Sequence, residues 1–170
     1  MFRRLLALVI FVSCGCAQLH AEWLHKAEND PFSKATEHMV MASEGEEVLI
    51  FKCSKASDLL MAYAMVEHVP EAARSKISLL PAKLLMVVDN GDVRELEGRL
   101  DVVPSTNTLR IVVSGSDVAR HVKAAAEARR SVALALKLFD DVIHKSNMSA
   151  SGSRSALSKL SVGCNLSSAG

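Results

Sequence analysis

The amino-acid sequence predicts an α+β domain that consists mainly of antiparallel β-sheet. Three observations lead to this prediction. Short segments of alternating apolar and polar residues, separated by turn residues, recur along the chain and indicate six or seven strands. Asn90–Gly91 lies between two such segments and is typical of a tight hairpin turn. Two later segments have the apolar spacing of helices.

The first strands are predicted on either side of an acidic loop. Thr36–Ala42 is a short strand, and Val48–Cys53 is a clearer one because its apolar residues alternate. Cys53 shares a face with Phe51 in the second strand, so its side chain is expected to point into the core. The next segment, Asp58–Val69, is apolar on both alternations, so local propensity leaves strand and helix open.

The central part of the chain predicts a hairpin and a third strand. Leu84–Val88 and Val93–Val103 are the two arms, and both turn residues between them, Asn90 and Gly91, are expected to have positive φ. A glycine on the inward side of the second arm, at position 98, indicates a bulge or bend. Leu109–Val113 is the strand that follows.

The last third of the chain predicts two helices that flank two strands. Ser116 is expected to cap the first helix, Asp117–Arg130, and a glycine is expected to stop the second, Ser153–Gly163. Ser131–Phe139 alternates as a strand, and Val142–His144 is predicted to be its short partner.

The first 21 residues predict a secretory signal peptide. Arg3 and Arg4 form a basic start, and the apolar run Leu5–Val12 and then small residues follow. The run is far shorter than the roughly 20 residues that cross a bilayer. We therefore expect export, with cleavage after Ala17 or after Ala21.

Cleavage would leave one domain, residues 22–164, and a flexible polar tail, residues 165–170. The full chain has 20 Lys and Arg side chains against 19 Asp and Glu, and removal of two arginines keeps it near neutral. Such a surface gives no electrostatic indication of nucleic acid or an anionic membrane as partner. No later apolar run is long enough to span a membrane. The expected location is the periplasm or the outside of the cell.

The predicted cleavage also determines which cysteines remain in the mature protein. Cys14 and Cys16 belong to the signal, so the mature chain keeps Cys53 and Cys164, which are expected to form a disulfide. Without export, the alternative is two free buried thiols. A lipid anchor on Cys14 or Cys16 is a further alternative, although the residues before them match the bacterial lipidation pattern poorly.

No residue pattern predicts catalysis, a cofactor or a metal. The chain has no Gly-x-Ser-x-Gly turn and no glycine-rich phosphate loop. No two histidines have ligand spacing on one predicted face with a third ligand nearby. We therefore assign no catalytic, cofactor-binding or metal-binding residue. The six histidines are His20, His25, His38, His68, His121 and His144.

An ordered set of motifs resembles a group of small exported bacterial proteins related to the type VI secretion accessory family. The matching pieces are Trp23, Asp30–Pro31, a strand that ends in a cysteine (Leu49–Cys53), and a final helix that leads to Cys164. The resemblance implies an antiparallel β-sandwich-like domain with two short helices, and it favours a strand for Asp58–Val69. It implies no catalytic residue.

These observations predict an exported, non-enzymatic binding or accessory protein whose partner is an unidentified protein or envelope component. One alternative is a small secreted hydrolase whose residues meet only in the fold. A serine or carboxylate beside a histidine in one cleft would favour that alternative. Another is an inhibitor or effector that uses a protruding loop, for which Ala72–Pro81 and Asn147–Gly152 are the candidates.

Overall fold

The computed structural model describes residues 22–32 and 34–166. The predicted signal peptide, its two cysteines and most of the predicted tail lie outside the described residues. The described residues form nine strands, three α-helices and one short 3-10 helix, Ala56–Asp58. The strands are β1 (Leu24–Asn29), β2 (Thr36–Glu44), β3 (Glu47–Cys53), β4 (Leu60–His68), β5 (Pro81–Val88), β6 (Arg94–Val103), β7 (Thr108–Ser114), β8 (Ser131–Leu138) and β9 (Asp141–Ser149), and the helices are α1 (Glu71–Ile77), α2 (Val118–Glu127) and α3 (Ser153–Gly163).

All nine strands belong to one sheet in the order β1-β2-β3-β4-β7-β6-β5-β8-β9. Every pair of neighbours is antiparallel. The sheet curls strongly into a half-barrel. The prediction of a mainly antiparallel α+β domain is therefore confirmed. The arrangement is not clearly a sandwich, because one continuous curled sheet is present where two facing sheets were expected.

Several predicted elements differ from the structure. Residues 72–81, expected to be a loop, contain α1, which follows Pro70 and buries none of its side chains. The strand β9 extends well beyond Val142–His144 because it pairs with β8 as far as Ser149. The helix α2 is shorter than predicted at both ends, and no side-chain hydrogen bond caps it. By contrast, α3 has the predicted bounds, and most of Asp58–Val69 forms the strand β4.

The core lies on the concave face of the sheet, where the inward side chains of the strands meet one face each of α2 and α3. All of these buried side chains form a single cluster. Two glycines allow close packing there. A Cβ atom at Gly98 would lie 2.6 Å from the Ile111 side chain, and one at Gly163 would lie 2.3 Å from the His38 ring. Gly98 therefore marks a tight contact within a regular ladder rather than the predicted bulge.

The central hairpin turn lies one residue earlier than the sequence predicts. The residues with positive φ are Asp89 (53°) and Asn90 (64°), and the N–H of Gly91 donates to the carbonyl of Val88 at 2.8 Å. The φ of Gly91 is not positive. The Asp89 carboxylate explains the shift, because it accepts three backbone N–H groups at the start of β8, from residues 129, 130 and 131.

A disulfide joins Cys53 at the end of β3 to Cys164, directly after α3. Their Cα atoms are 6.0 Å apart, although 111 positions separate them in the chain. Both cysteines are buried in the core cluster. The bond thus fastens the last helix to the sheet.

The curl brings β9 close to the beginning of the sheet. No backbone ladder joins β9 to β1 or β2 within residues 22–32 and 34–166. Three side chains bond to the β9 backbone instead: the indole of Trp23 donates to the Ser149 carbonyl at 2.6 Å, the hydroxyl of Tyr63 reaches the His144 carbonyl at 2.9 Å, and the carboxylate of Glu44 accepts the Asn147 N–H at 2.7 Å. We call this line of contacts the seam.

Candidate functional site

A groove lies over β5 and β8, on the face of these two strands that is opposite to their core residues. Along the groove, both strands carry apolar side chains on both faces. In β5, Leu84 and Met86 are fully buried in the core, whereas Leu85 and Val87 point outward and are only partly covered. The outer face of a half-exposed strand usually carries polar side chains. In β5 and β8 this face instead carries apolar side chains, and they form the floor of the groove, which we call the outer groove.

The outer groove has a volume of about 640 Å³. This lies within the usual range of small-molecule sites, roughly 300–1,000 Å³. Ala133 and Ala135 contribute to the hollow, because the outward positions of β8 carry only methyl groups there. The groove is lined by Glu44, Gly45, Glu47, Leu85, Val87, Val93, Ala133, Leu134, Ala135, Lys145, Ser146 and Asn147.

One end of the outer groove is polar, and it coincides with the seam. Glu44 and Glu47 are directly opposite each other in the β2–β3 hairpin. One oxygen of Glu44 accepts the Asn147 N–H, and the hydroxyl of Ser146 lies 3.4 Å from the same oxygen. The Glu44 carboxylate thus holds the hairpin against β9, and Lys145 lines the same end.

Tyr63 carries the second polar contact of the seam. Its side chain is fully buried, and its hydroxyl bonds to the carboxylate of Glu47 and to the His144 carbonyl. Burial raises the pKa of Tyr63 far above its ordinary value, and the hydrogen bond to Glu47 raises it further. The hydroxyl therefore stays protonated and acts as a donor within the seam.

His144 lies beside this pair. Its Nδ1 is 4.0 Å from the nearer oxygen of Glu47, and its φ of 48° falls where the register between β8 and β9 shifts. A carboxylate, an imidazole and a hydroxyl, from Glu47, His144 and Ser146, are therefore close to one cleft. The hydroxyl of Ser146 contacts Glu44, however, and no hydrogen bond joins it to His144. The described residues do not form a serine, histidine and carboxylate triad.

An ion network lies on the same outward face of β5 and β8. The carboxylate of Glu95 binds Lys83 at 2.9 Å and Lys137 at 3.1 Å. Hydrogen bonds from Lys83 and then from Lys137 lower the pKa of Glu95. Lys83 and Lys137 are paired across β5 and β8, two residues from Leu85 and Ala135 respectively. The network thus forms a charged border to the apolar floor. This border lies at the end of the floor that is farther from the β5–β6 turn.

The remaining histidines are distributed as follows. His25 and His38 stack with 3.4 Å between two ring nitrogens, and burial, His38 and Lys159 lower the pKa of His25. His121 is buried in α2; burial lowers its pKa, and Asp117 provides a carbonyl at 2.8 Å. His68 is exposed, and His20 lies outside the described residues. In the part of the chain that the structure describes, no three ligand-type side chains form a metal site.

Comparison with known proteins gives no matching family model, no matching curated protein and no matching solved structure. In the described part of the chain, no helix combines the length and the apolar character that a membrane crossing requires.

The outer groove was not predicted from the sequence, although a signal for it is present. The run Leu84–Val88 contains no polar residue, and Ser131–Leu138 has alanines at the positions between its core leucines. A strand that is apolar on both faces is expected to be covered on both faces. The polar end could not be found this way, because Glu44 and His144 are about a hundred positions apart and neither belongs to a motif.

Proposed function

We propose that this protein is an exported, non-enzymatic binding protein of the bacterial cell envelope, and that its ligand site is the outer groove. The observation that carries the proposal is the pairing of an apolar floor with a polar end in one cavity of ligand size. The ligand expected from this chemistry is a small molecule with an apolar body and a hydrogen-bond donor at one end. The floor would cover the body, and the carboxylates of Glu44 and Glu47 would accept from the donor.

Export to the periplasm belongs to the same proposal. It rests on the basic and apolar order of the first residues and on the pairing of Cys53 with Cys164, a bond that an oxidising compartment favours. An accessory role near a secretion system fits a protein that binds a ligand without converting it.

The test is a fluorescence titration with N-phenyl-1-naphthylamine, an apolar probe that carries one N–H donor. We expect saturable binding to the wild-type chain. The substitution Ala133→Phe fills the hollow and should weaken binding at least tenfold. The matched control is Ala64→Phe, at a partly covered outward position of β4 away from the groove, and it should bind like the wild type. Equal binding by both variants, or no binding by the wild type, would contradict the proposal.

The hydrolase remains the second candidate, because Glu47 and His144 meet beside the cleft. Hydrolysis of p-nitrophenyl butyrate tests it. Activity that Ser146→Ala abolishes and Ser149→Ala preserves would favour the hydrolase over the binding protein. The absence of turnover, together with binding of the probe, would favour the binding protein.

A further inference from the structure

Five large apolar side chains are exposed at one end of the sheet. Leu79 is 80% exposed and Phe139 is 66% exposed, and each of the other three is more than one third exposed. They come from three segments that the ladder brings together, because Ala82 near the start of β5 pairs with Leu138 at the end of β8. We call this group the apolar tip; it consists of Leu79, Leu80, Phe139, Val142 and Ile143.

The backbone of Phe139 is unfavourable for its residue type. Leu138 and Asp141 form the last pair of the hairpin, so Phe139 and Asp140 are the two residues of the turn. Phe139 has a φ of 53°, a conformation that favours glycine or asparagine. Its exposed ring gains nothing from core packing. Neither the turn nor the core therefore explains a phenylalanine at this position, which points to a role in contact with another surface.

A second exposed phenylalanine provides an internal comparison. Phe32 is 95% exposed in the turn between β1 and β2. Because neighbouring strands alternate in direction, that turn and the β8–β9 turn lie at opposite ends of the sheet. Phe32 does not belong to the apolar tip. A substitution of Phe32 therefore shows the effect of removing an exposed ring that is not part of the cluster.

The charges around the apolar tip balance. Asp140 in the turn and Asp141 at the start of β9 are exposed, Lys76 is exposed in the helical turn before Leu79, and Arg99 is exposed opposite Pro81. Two acidic and two basic groups leave no net charge. Binding through this end should therefore depend on apolar contact and should change little with salt.

We propose that the apolar tip docks this protein on a phospholipid surface, with Phe139 and its neighbours inserted among the lipid headgroups. The side chains project from the ends of separate segments, so a deformable apolar phase can receive them without a matching pocket. They are aliphatic residues and one phenylalanine, and they lack the Trp, Tyr and Arg that dominate protein-binding hot spots. Their combined exposed surface, a few hundred Å², is well below the roughly 800 Å² per partner of a stable protein pair.

The experiment is co-sedimentation of the purified mature chain, which lacks the predicted signal peptide, with vesicles of phosphatidylcholine, at low and high salt. The key variant is Phe139→Gly. Glycine suits the positive φ, so this variant should be at least as stable as the wild type to heat, and it should bind vesicles at least tenfold more weakly. The control Phe32→Gly should bind within about twofold of the wild type. Probe binding in the outer groove should be the same in all three proteins.

Four results would overturn the proposal. The first is absence of binding by the wild type, and the second is equal binding by the wild type and Phe139→Gly. The third is binding that requires phosphatidylglycerol in the vesicles and disappears with salt, since this would indicate a charged surface elsewhere. The fourth is self-association in sedimentation velocity that Phe139→Gly removes while vesicle binding persists, since this would assign the apolar tip to contact between copies of the chain.

Discussion

Between β3 and β4 the backbone of each strand bonds directly to the other, whereas across the seam β9 meets the first strands only through side chains. A ladder distributes its hydrogen bonds over every second residue. The seam concentrates its bonds in the indole of Trp23, the hydroxyl of Tyr63 and the carboxylate of Glu44. These groups are separated from their β9 partners by 126, 81 and 103 positions in the chain.

The difference has a structural and a functional consequence. A strand edge with unpaired backbone groups invites pairing with another chain, and the three side chains of the seam occupy three of the backbone groups of β9. Because few bonds hold the seam, it is the place where the half-barrel is expected to open first. The polar end of the outer groove lies there, so ligand binding and opening of the seam should influence each other.

Loss of the disulfide should have the largest effect on stability. The bond involves Cys53 of β3, a strand that is joined to both of its neighbours by backbone ladders. We expect Cys53→Ser to lower the free energy of unfolding by about 2–5 kcal/mol, because the bond closes a loop of 111 residues and holds α3 on the sheet. Denaturant titration measures this loss. Cys164→Ser and the double variant should give the same value as Cys53→Ser. Two reactive thiols per mature chain, after unfolding without reductant, would show that the bond is absent.

A substitution in the middle of the sheet, where backbone ladders join the strands, should have the second largest effect on stability. Gly98→Ala places a methyl group where the Ile111 side chain already lies, at 2.6 Å. We expect a loss of about 1–3 kcal/mol from overpacking. Glu97→Ala is the control, because its side chain is exposed on the opposite face of the same strand, and it should cost much less. Equal losses would mean that Ile111 moves aside freely.

The ladder was predictable from sequence, because alternation and turns are local properties. Thr36–Ala42 and most of Ser131–Phe139 were placed correctly by these signals, and Ser153–Gly163 follows from helical spacing. The β5–β6 turn shows the limit of local reasoning. Asn90–Gly91 is the favoured dipeptide, yet the carboxylate of Asp89 binds three N–H groups about 40 positions away and moves the turn by one residue.

Local sequence patterns did not predict the contacts of the seam or the helix α1. Glu44 resembles any charged residue of a hairpin, and only the curl of nine strands brings it to Asn147. The extent of β9 depends on its pairing with β8, since its own sequence is polar between Ile143 and Met148. Side-chain contacts over such separations leave no periodic pattern in the sequence.

A substitution at the seam should have a smaller and more local effect. Tyr63→Phe removes the hydroxyl that joins Glu47 to the His144 carbonyl, and we expect a loss of about 1–2 kcal/mol. Amide hydrogen exchange should become faster in β9 and remain slow in β3 and β4. Uniform acceleration over all strands would show that the seam opens only with the whole sheet, and the contrast between seam and ladder would then be wrong.

The smallest effect is expected at Asp89. This residue lies in the turn of the β5–β6 hairpin, whose strands are joined by a backbone ladder. Its own hydrogen bonds, however, are formed by its side chain, as in the seam. The backbone N–H groups of Arg129, Ser131 and Arg130 hold the pKa of its carboxyl below the ordinary value of about 4. A lowered pKa in the folded state means that the carboxylate contributes stability above the unfolded pKa. That contribution disappears as the pH falls through the folded pKa. The effect is modest because solvent screens this surface group.

The measurement compares the melting temperatures of the wild type and Asp89→Asn from neutral to acidic pH. At neutral pH the variant should melt lower, because an uncharged amide accepts the three N–H groups less strongly. The two curves should begin to approach each other below about pH 4 and should meet only below the lowered pKa of the folded state. The other carboxyls with lowered pKa, Asp58, Glu95 and Asp101, are common to both proteins, so they cancel in the difference. A difference that stays constant with pH would mean that the Asp89 charge is unimportant. The turn would then depend on its backbone conformation alone.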